Sequence, residues 1–147
     1  MKILVIIVSY NFERWIKPCL DSLRQSDIPL SVVVVDNASQ DRTVERVRKE
    51  YPEVRLLPQQ ENLGFGKANN IGFRIALQEG FDFVFLLNED AWVDSGTIRT
   101  LAETSMRHPE YGILSPIHLT GNRSKQDSGF PVQAIHPEMA RCAPSIL

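Results

Sequence analysis

A chain of 147 residues is long enough for one domain with a substantial core. Its composition, 43% hydrophobic and 23% charged, is ordinary for a globular protein, and a net charge of -2 excludes whole-chain attraction to nucleic acid or anionic membranes. No apolar run approaches a membrane span, and the run over residues 1–8 is too short for a signal-peptide core. The two cysteines, Cys19 and Cys142, sit in no metal-type cluster, so free thiols in a reducing compartment are expected.

The elements alternate. Residues 3–8 (ILVIIV) predict a central parallel strand, followed by the polar turn Ser9, Tyr10, Asn11. Residues 13–25 are helical in pattern, with Trp15, Ile16, Cys19, Leu20 and Leu23 recurring at three and four. Pro18 suits a first turn, which puts the start of the main helix near Lys17. Residues 32–35 (VVVV) predict a second buried strand ending in the turn-forming run 36–41. Asp41 is placed to cap a helix that Pro52 closes, and residues 54–57 form a short third strand. A glycine-bearing loop over 59–66 leads into a helix over 67–78, with Gly80 just past its end. Residues 83–87 (FVFLL) suit a strand buried on both faces, which stops abruptly at Asn88, Glu89 and Asp90. Ser95 then caps a helix to about Arg107, and residues 112–115 are expected to add a short strand. From Pro116 the periodicity fails.

This alternation predicts an α/β fold, a mostly parallel sheet with helices on both faces. In such sheets ligands bind beyond the carboxyl ends of the strands, where strand order reverses. The polar runs at 9–11, 36–41 and 88–90 all follow strands, so they share one rim, and the loop at 62–70 enters its helix on that rim. Two acids and an amide at a strand tip are oxygen donors suited to a hard cation.

Four runs now stand in order: VIIVSYN (5–11), VVVVDNASQDRT (32–43), NLGFGKANNIGF (62–73) and FLLNEDAWVD (85–94). Together they resemble the nucleotide-sugar-binding half of family 2 glycosyltransferases, which have the GT-A fold (a Rossmann-like half). The rhamnosyltransferase-like branch is nearest in flavour. The resemblance covers residues 1–115, with 116–147 as an irregular tail that begins an incomplete acceptor region. It implies inverting transfer of a sugar from a UDP- or dTDP-linked donor to a hydroxyl of a glycan or lipid-linked glycan, in cell-surface polysaccharide synthesis. It further implies a divalent cation, Mg²⁺ or Mn²⁺, on the donor diphosphate, with Asp90 matching the final acid of the metal motif. Asn88 stands where many relatives carry an acid, so it is counted with the donor-binding residues and not with the metal ligand. Glu89 is expected near donor sugar hydroxyls or behind the metal ligand. Asp36 matches the acid that accepts a hydrogen bond from the pyrimidine ring, with Asn37 beside it. Ser9, Tyr10 and Asn11 match the segment lining base and ribose, partly through backbone groups. Asn62, Gly64, Gly66, Lys67 and Asn69 match the segment that passes the donor.

Plainer readings stand beside these. Gly64 and Gly66 fail the dinucleotide fingerprint, since the next glycine is Gly72. Asp36 taken alone is equally read as a turn acid, Asp90 less so because it follows a buried strand, and Lys67 also reads as a solvated lysine. Trp15 and Trp92 read as packing, Cys19 as core, and His108, His118 and His136 as loop residues without metal spacing. Asp127 and Glu138 match no family motif, so the general base that inversion needs is unassigned. A non-catalytic nucleotide-sugar-binding module is therefore the alternative to an enzyme, and a nucleotidyltransferase a weaker one. A cytoplasmic protein is expected, with a peripheral place at the inner face of the membrane as a variant. An exposed apolar face further predicts a homodimer.

Overall fold

The computed structural model describes residues 1–120 and Lys125. Its elements are β1 (Ile3–Ser9), α1 (Ile16–Arg24), β2 (Ser31–Asp36), α2 (Thr43–Glu50), β3 (Arg55–Pro58), α3 (Phe65–Glu79), β4 (Phe83–Leu86) and α4 (Thr97–Arg107). The chain divides into two compact units, residues 1–98 and 99–147. The first holds the whole sheet.

That sheet has four parallel strands in the order β3-β2-β1-β4. The chain builds outward from β1 to β3 and then crosses back to lay β4 on the other side of β1. The reversal therefore falls between β1 and β4, which is where such a sheet opens a crevice at its carboxyl ends. Register aligns the ends, with Ser9 opposite Asp36, Asp36 opposite Pro58, and Ile6 opposite Leu86.

Residues 3–7 are buried without interruption because β1 is central and covered on both faces. Leu4 and Ile6 join Val33, Val35, Ala68, Ile75 and Ala76 in one cluster beneath α3. Alternation sends Ile3, Val5, Ile7 and Val34 to the opposite face, where they are just as buried. Helix α3 lies so close to β1 that a Cβ at Gly72 would fall 2.5 Å from Ile6 Cδ1. The helix ends at Gly80, whose φ of 66° is the left-handed value that favours glycine there.

Several sequence expectations shift. Helix α1 begins at Ile16, which puts Pro18 in the first turn as expected. Helix α3 begins two residues early, at Phe65. Asp41 supports the start of α2, its Oδ1 accepting the Thr43 N–H at 2.9 Å. Strand β4 is not buried on both faces: its four residues are partly or largely exposed and Leu86 is 45% exposed. The reason is its place at an edge of the sheet, with only β1 beside it. Residues 112–115 form no strand and run as irregular chain, since an apolar run needs a partner edge to become one. Cys142, His136, Asp127, Glu138 and the prolines at 131, 137 and 144 lie outside the described residues.

Candidate active site

The carboxyl ends of β1 and β2 are stitched together through Asp36. This residue is only 1% exposed. Its Oδ1 accepts the Ser9 hydroxyl at 3.0 Å and the Ser39 hydroxyl in a shorter bond, and its Oδ2 accepts the Ser39 N–H at 3.0 Å. Parallel register brings Ser9 to this position, while the tight turn after β2 swings Ser39 back over the carboxylate. The turn depends on Ala38 at a φ of 62°, a left-handed conformation that ordinarily disfavours alanine by about 1–2 kcal/mol. Three charge-assisted bonds to Asp36 stabilise it.

The β1 turn is tied to the same loop. Asn11, at a φ of 57°, donates its N–H to the Ser39 hydroxyl at 2.9 Å, and its side-chain oxygen accepts the Gln40 N–H at 2.9 Å. The Tyr10 N–H donates to Glu89 Oε2 at 2.8 Å, linking the β1 turn to the β4 tip. Both backbone donors of this turn are thus taken internally. The Tyr10 and Asn11 amides are therefore structural. The Tyr10 side chain, 46% exposed, is what the turn offers outward.

The asparagines divide in a similar way. Asn37 is buried; its N–H donates to the Ser9 carbonyl at 2.8 Å and its Oδ1 accepts the Leu63 N–H at 3.3 Å. It thereby pins the 59–64 loop to the rim. Asn62 accepts the Gly64 N–H at 2.9 Å, and buried Asn69 donates to the Phe65 carbonyl at 3.0 Å. Gly64 has φ 76° and ψ 163°, a region essentially reserved for glycine. Gly66 has no such need, and a Cβ there would meet open space. Lys67 is exposed in the first turn of α3.

The tip after β4 is built differently. Asn88 and Asp90 are exposed, and Asp90 has no hydrogen-bond or ion-pair partner among the described residues. Glu89 is half-buried, and that burial, with the charges of Asp90, Asp36 and Asp41, raises its carboxyl above the ordinary value, against the lowering effect of the Tyr10 N–H. Behind the tip, Cys19 lies in the core with Sγ 4.0 Å from the Asn88 carbonyl oxygen. Burial and the charges of Glu89 and Asp90 push its thiol up to about 12. The rim therefore carries concentrated negative charge, and a cation would relieve it. Among the described residues no group of three or more His, Cys, Asp or Glu forms a ready-made metal cage. A Mg²⁺-type ion needs only one or two carboxylates, with phosphate and water completing the shell, so the oxygens at this tip fit that kind of site.

Other expectations are settled by position. Cys19 is core and free, Trp15 is half-buried beneath the Arg14 guanidinium at 4.7 Å, and His108 stacks on Tyr111 at 5.3 Å between ring centres. Sequence reasoning missed Ser39. Its spacing, three residues after the strand-end acid, was the available signal, because such a hydroxyl commonly turns back on an Asx-type turn.

Comparison with known proteins agrees with this geometry. The family model described as glycosyl transferase family 2 matches residues 4–130. The chain is 34% identical, over 93% of its length, to N-acetylglucosaminyl-diphospho-decaprenol L-rhamnosyltransferase of Mycobacterium tuberculosis, and covers 46% of that protein. It is also 34% identical to poly(ribitol-phosphate) beta-N-acetylglucosaminyltransferase TarS of Staphylococcus aureus, over 88% of this chain and 23% of that one. The crystal structure of TarS 1–349 in complex with UDP-GlcNAc superposes with a TM-score of 0.65 at 30% identity, over 74% of this chain and 32% of that one. Mannosyltransferase PcManGT from Pyrobaculum calidifontis, in complex with GDP-Man and Mn²⁺, gives 0.62 at 30% identity, over 71% and 32%. The chain spans less than half the length of these curated relatives. On the parallel α/β sheet, the rim and these matches, the chain belongs to glycosyl transferase family 2, with the GT-A fold.

Proposed function

We propose that residues 1–115 supply the donor-binding half of an inverting glycosyltransferase. The donor is a UDP- or dTDP-linked sugar, and the acceptor a hydroxyl of a glycan or lipid-linked glycan. The observation that carries this reading is the pairing, on one rim, of a buried, hydrogen-bonded acid with an exposed, unpartnered one. Asp36 is fixed as an acceptor for a base N–H, while Asp90 is left open for a cation. Mg²⁺ or Mn²⁺, when bound with the donor, neutralises the charge that grows on the departing diphosphate. Asp90 would hold it, Asn88 would orient a donor hydroxyl, and Glu89 would fix the tip by its bond to the Tyr10 amide. Gly66 would leave room for the diphosphate to approach the backbone. In the transfer, the acceptor oxygen bonds to the anomeric carbon as the bond to diphosphate oxygen breaks. The nucleoside diphosphate leaves with the electron pair, and the hydroxyl proton passes to a base.

The deciding experiment is calorimetric titration of UDP and dTDP, each with and without Mn²⁺, on the wild type and Asp90→Ala. Metal-dependent binding that the substitution abolishes supports the site, and no binding of either nucleotide refutes it. Release of free sugar, or its transfer, from the activated donor separates an enzyme from a binding module.

Two further assignments belong to this reading. Phe73 and Leu77, exposed one turn apart on α3 with Leu77 at 83%, support a homodimer, which a monomeric mass by light scattering at high concentration would refute. Among the described residues no helix is long and apolar enough to cross a membrane. A cytoplasmic place, peripheral at the inner face, is assigned because the mycobacterial relative's name specifies a decaprenol-linked acceptor. Fractionation with washed membranes tests it.

A further inference from the structure

We infer that Ser39 is a positioning residue that limits Asp36 to a single external donor and thereby selects a pyrimidine base over guanine. The inference rests on the donor-site reading above. A carboxylate offers about four acceptor directions, two on each oxygen. Oδ1 has both filled, by the hydroxyls of Ser9 and Ser39, and Oδ2 has one filled by the Ser39 N–H. By that count one direction is left, on Oδ2. Uracil and thymine present one ring N–H between two carbonyls, which a single acceptor satisfies. Guanine presents a ring N–H and an exocyclic amino group side by side, a pattern that calls for both oxygens of a carboxylate. With Oδ1 saturated, that bidentate contact is closed.

Ser39 supplies two of the three internal donors and also accepts the Asn11 N–H, so it fixes both the carboxylate and the β1 turn around it. Removing its hydroxyl opens one direction on Oδ1 and frees the Asn11 amide. The test is calorimetric titration with UDP and GDP in the presence of Mn²⁺ on the wild type, Ser39→Ala, Ser39→Thr and Ser9→Ala. The wild type should prefer UDP. Ser39→Ala should weaken UDP by about tenfold, the net worth of one hydrogen bond to a charged group, and should narrow the UDP-to-GDP ratio. Ser39→Thr, which keeps the hydroxyl, should restore both. Ser9→Ala opens the same oxygen from the other side and should also narrow the ratio, which keeps the idea testable if Ser39→Ala does not fold. Amide exchange at Asn11, read by NMR, should quicken in Ser39→Ala alone. A loss of stability by itself would not change the base ratio. A wild type that binds UDP and GDP equally, or alanine variants that keep the wild-type ratio, overturns the inference and leaves the donor site standing. A wild type that binds neither nucleotide overturns the donor site itself.

Discussion

The two halves of the rim are built on opposite principles. At the ends of β1 and β2, Asp36 is buried and its carboxylate accepts three of the chain's own donors. At the end of β4, Asn88 and Asp90 are exposed, with Glu89 alone tied back to the β1 turn. The first half is held in place by the chain's own hydrogen bonds. The second concentrates negative charge on exposed and half-buried carboxyls. The contrast teaches that burial divides the acids of one rim: Asp36 is fixed by internal donors, while Asp90 is left open to solvent.

Substituting Asp36→Ala should have the largest effect on stability. It strands two hydroxyls and an amide, and should cost about 2–4 kcal/mol in urea unfolding. A loss below about 1 kcal/mol would erase the distinction between the halves.

Raising the pH probes the floor of the open half. The Cys19 thiol is pushed up from 9.0 to about 12, so the unfolded chain releases that proton first. The stability it contributes is intact below 9.0 and is lost as pH rises towards 12, at about 1.4 kcal/mol per pH unit. Tyr51, held up to about 12 by burial and by its bond to Asp21, titrates in an overlapping range. The difference in slope between wild type and Cys19→Ala isolates the thiol, and equal slopes would show that burial and the neighbouring charges of Glu89 and Asp90 do not hold it protonated.

Relieving the stitched turn should have a smaller effect. Ala38→Gly removes a left-handed alanine but loosens the unfolded chain, for a net gain of about 0.5 kcal/mol. A melting temperature that falls instead would mean that the Ala38 methyl contributes packing.

The smallest change is expected from Asp90→Ala, which should leave stability within about 0.5 kcal/mol of wild type. An exposed carboxylate with no protein partner contributes little to folding. A large loss would place Asp90 in the structural half.

Much of the fold was legible because strong periodicity leaves few choices. Residues 3–8 and 32–35 are too apolar and β-branched for anything but buried strands, and the polar runs after them had to share one rim. The exposure of β4 was not legible. FVFLL looks the same whether the strand has one neighbour or two, and only topology decides. The acids at 36 and 90 were singled out as site candidates, but the burial and internal bonding of one and the exposure of the other were hidden. Whether an acid is saturated depends on hydroxyls from other turns, and Ser39 advertises nothing of its reach to Asp36 and Asn11. The internal bond of the Tyr10 amide was hidden for the same reason, since Glu89 lies 79 positions from the Tyr10 it binds.

Gly72 has a consequence for how this surface can vary. The gap between α3 and β1 is set by an absent methyl group, with Ile6 filling the space beneath it. Any side chain at position 72 would act as a shim under the helix. Either the helix or the Ile6 side chain would have to give way, since β1 is held between β2 and β4. The sizes of the side chains at positions 6 and 72 are therefore coupled. A larger residue on the helix is tolerable only with a smaller one on the strand, and the pair works as one mechanical tolerance that governs how far the helix stands from the rim.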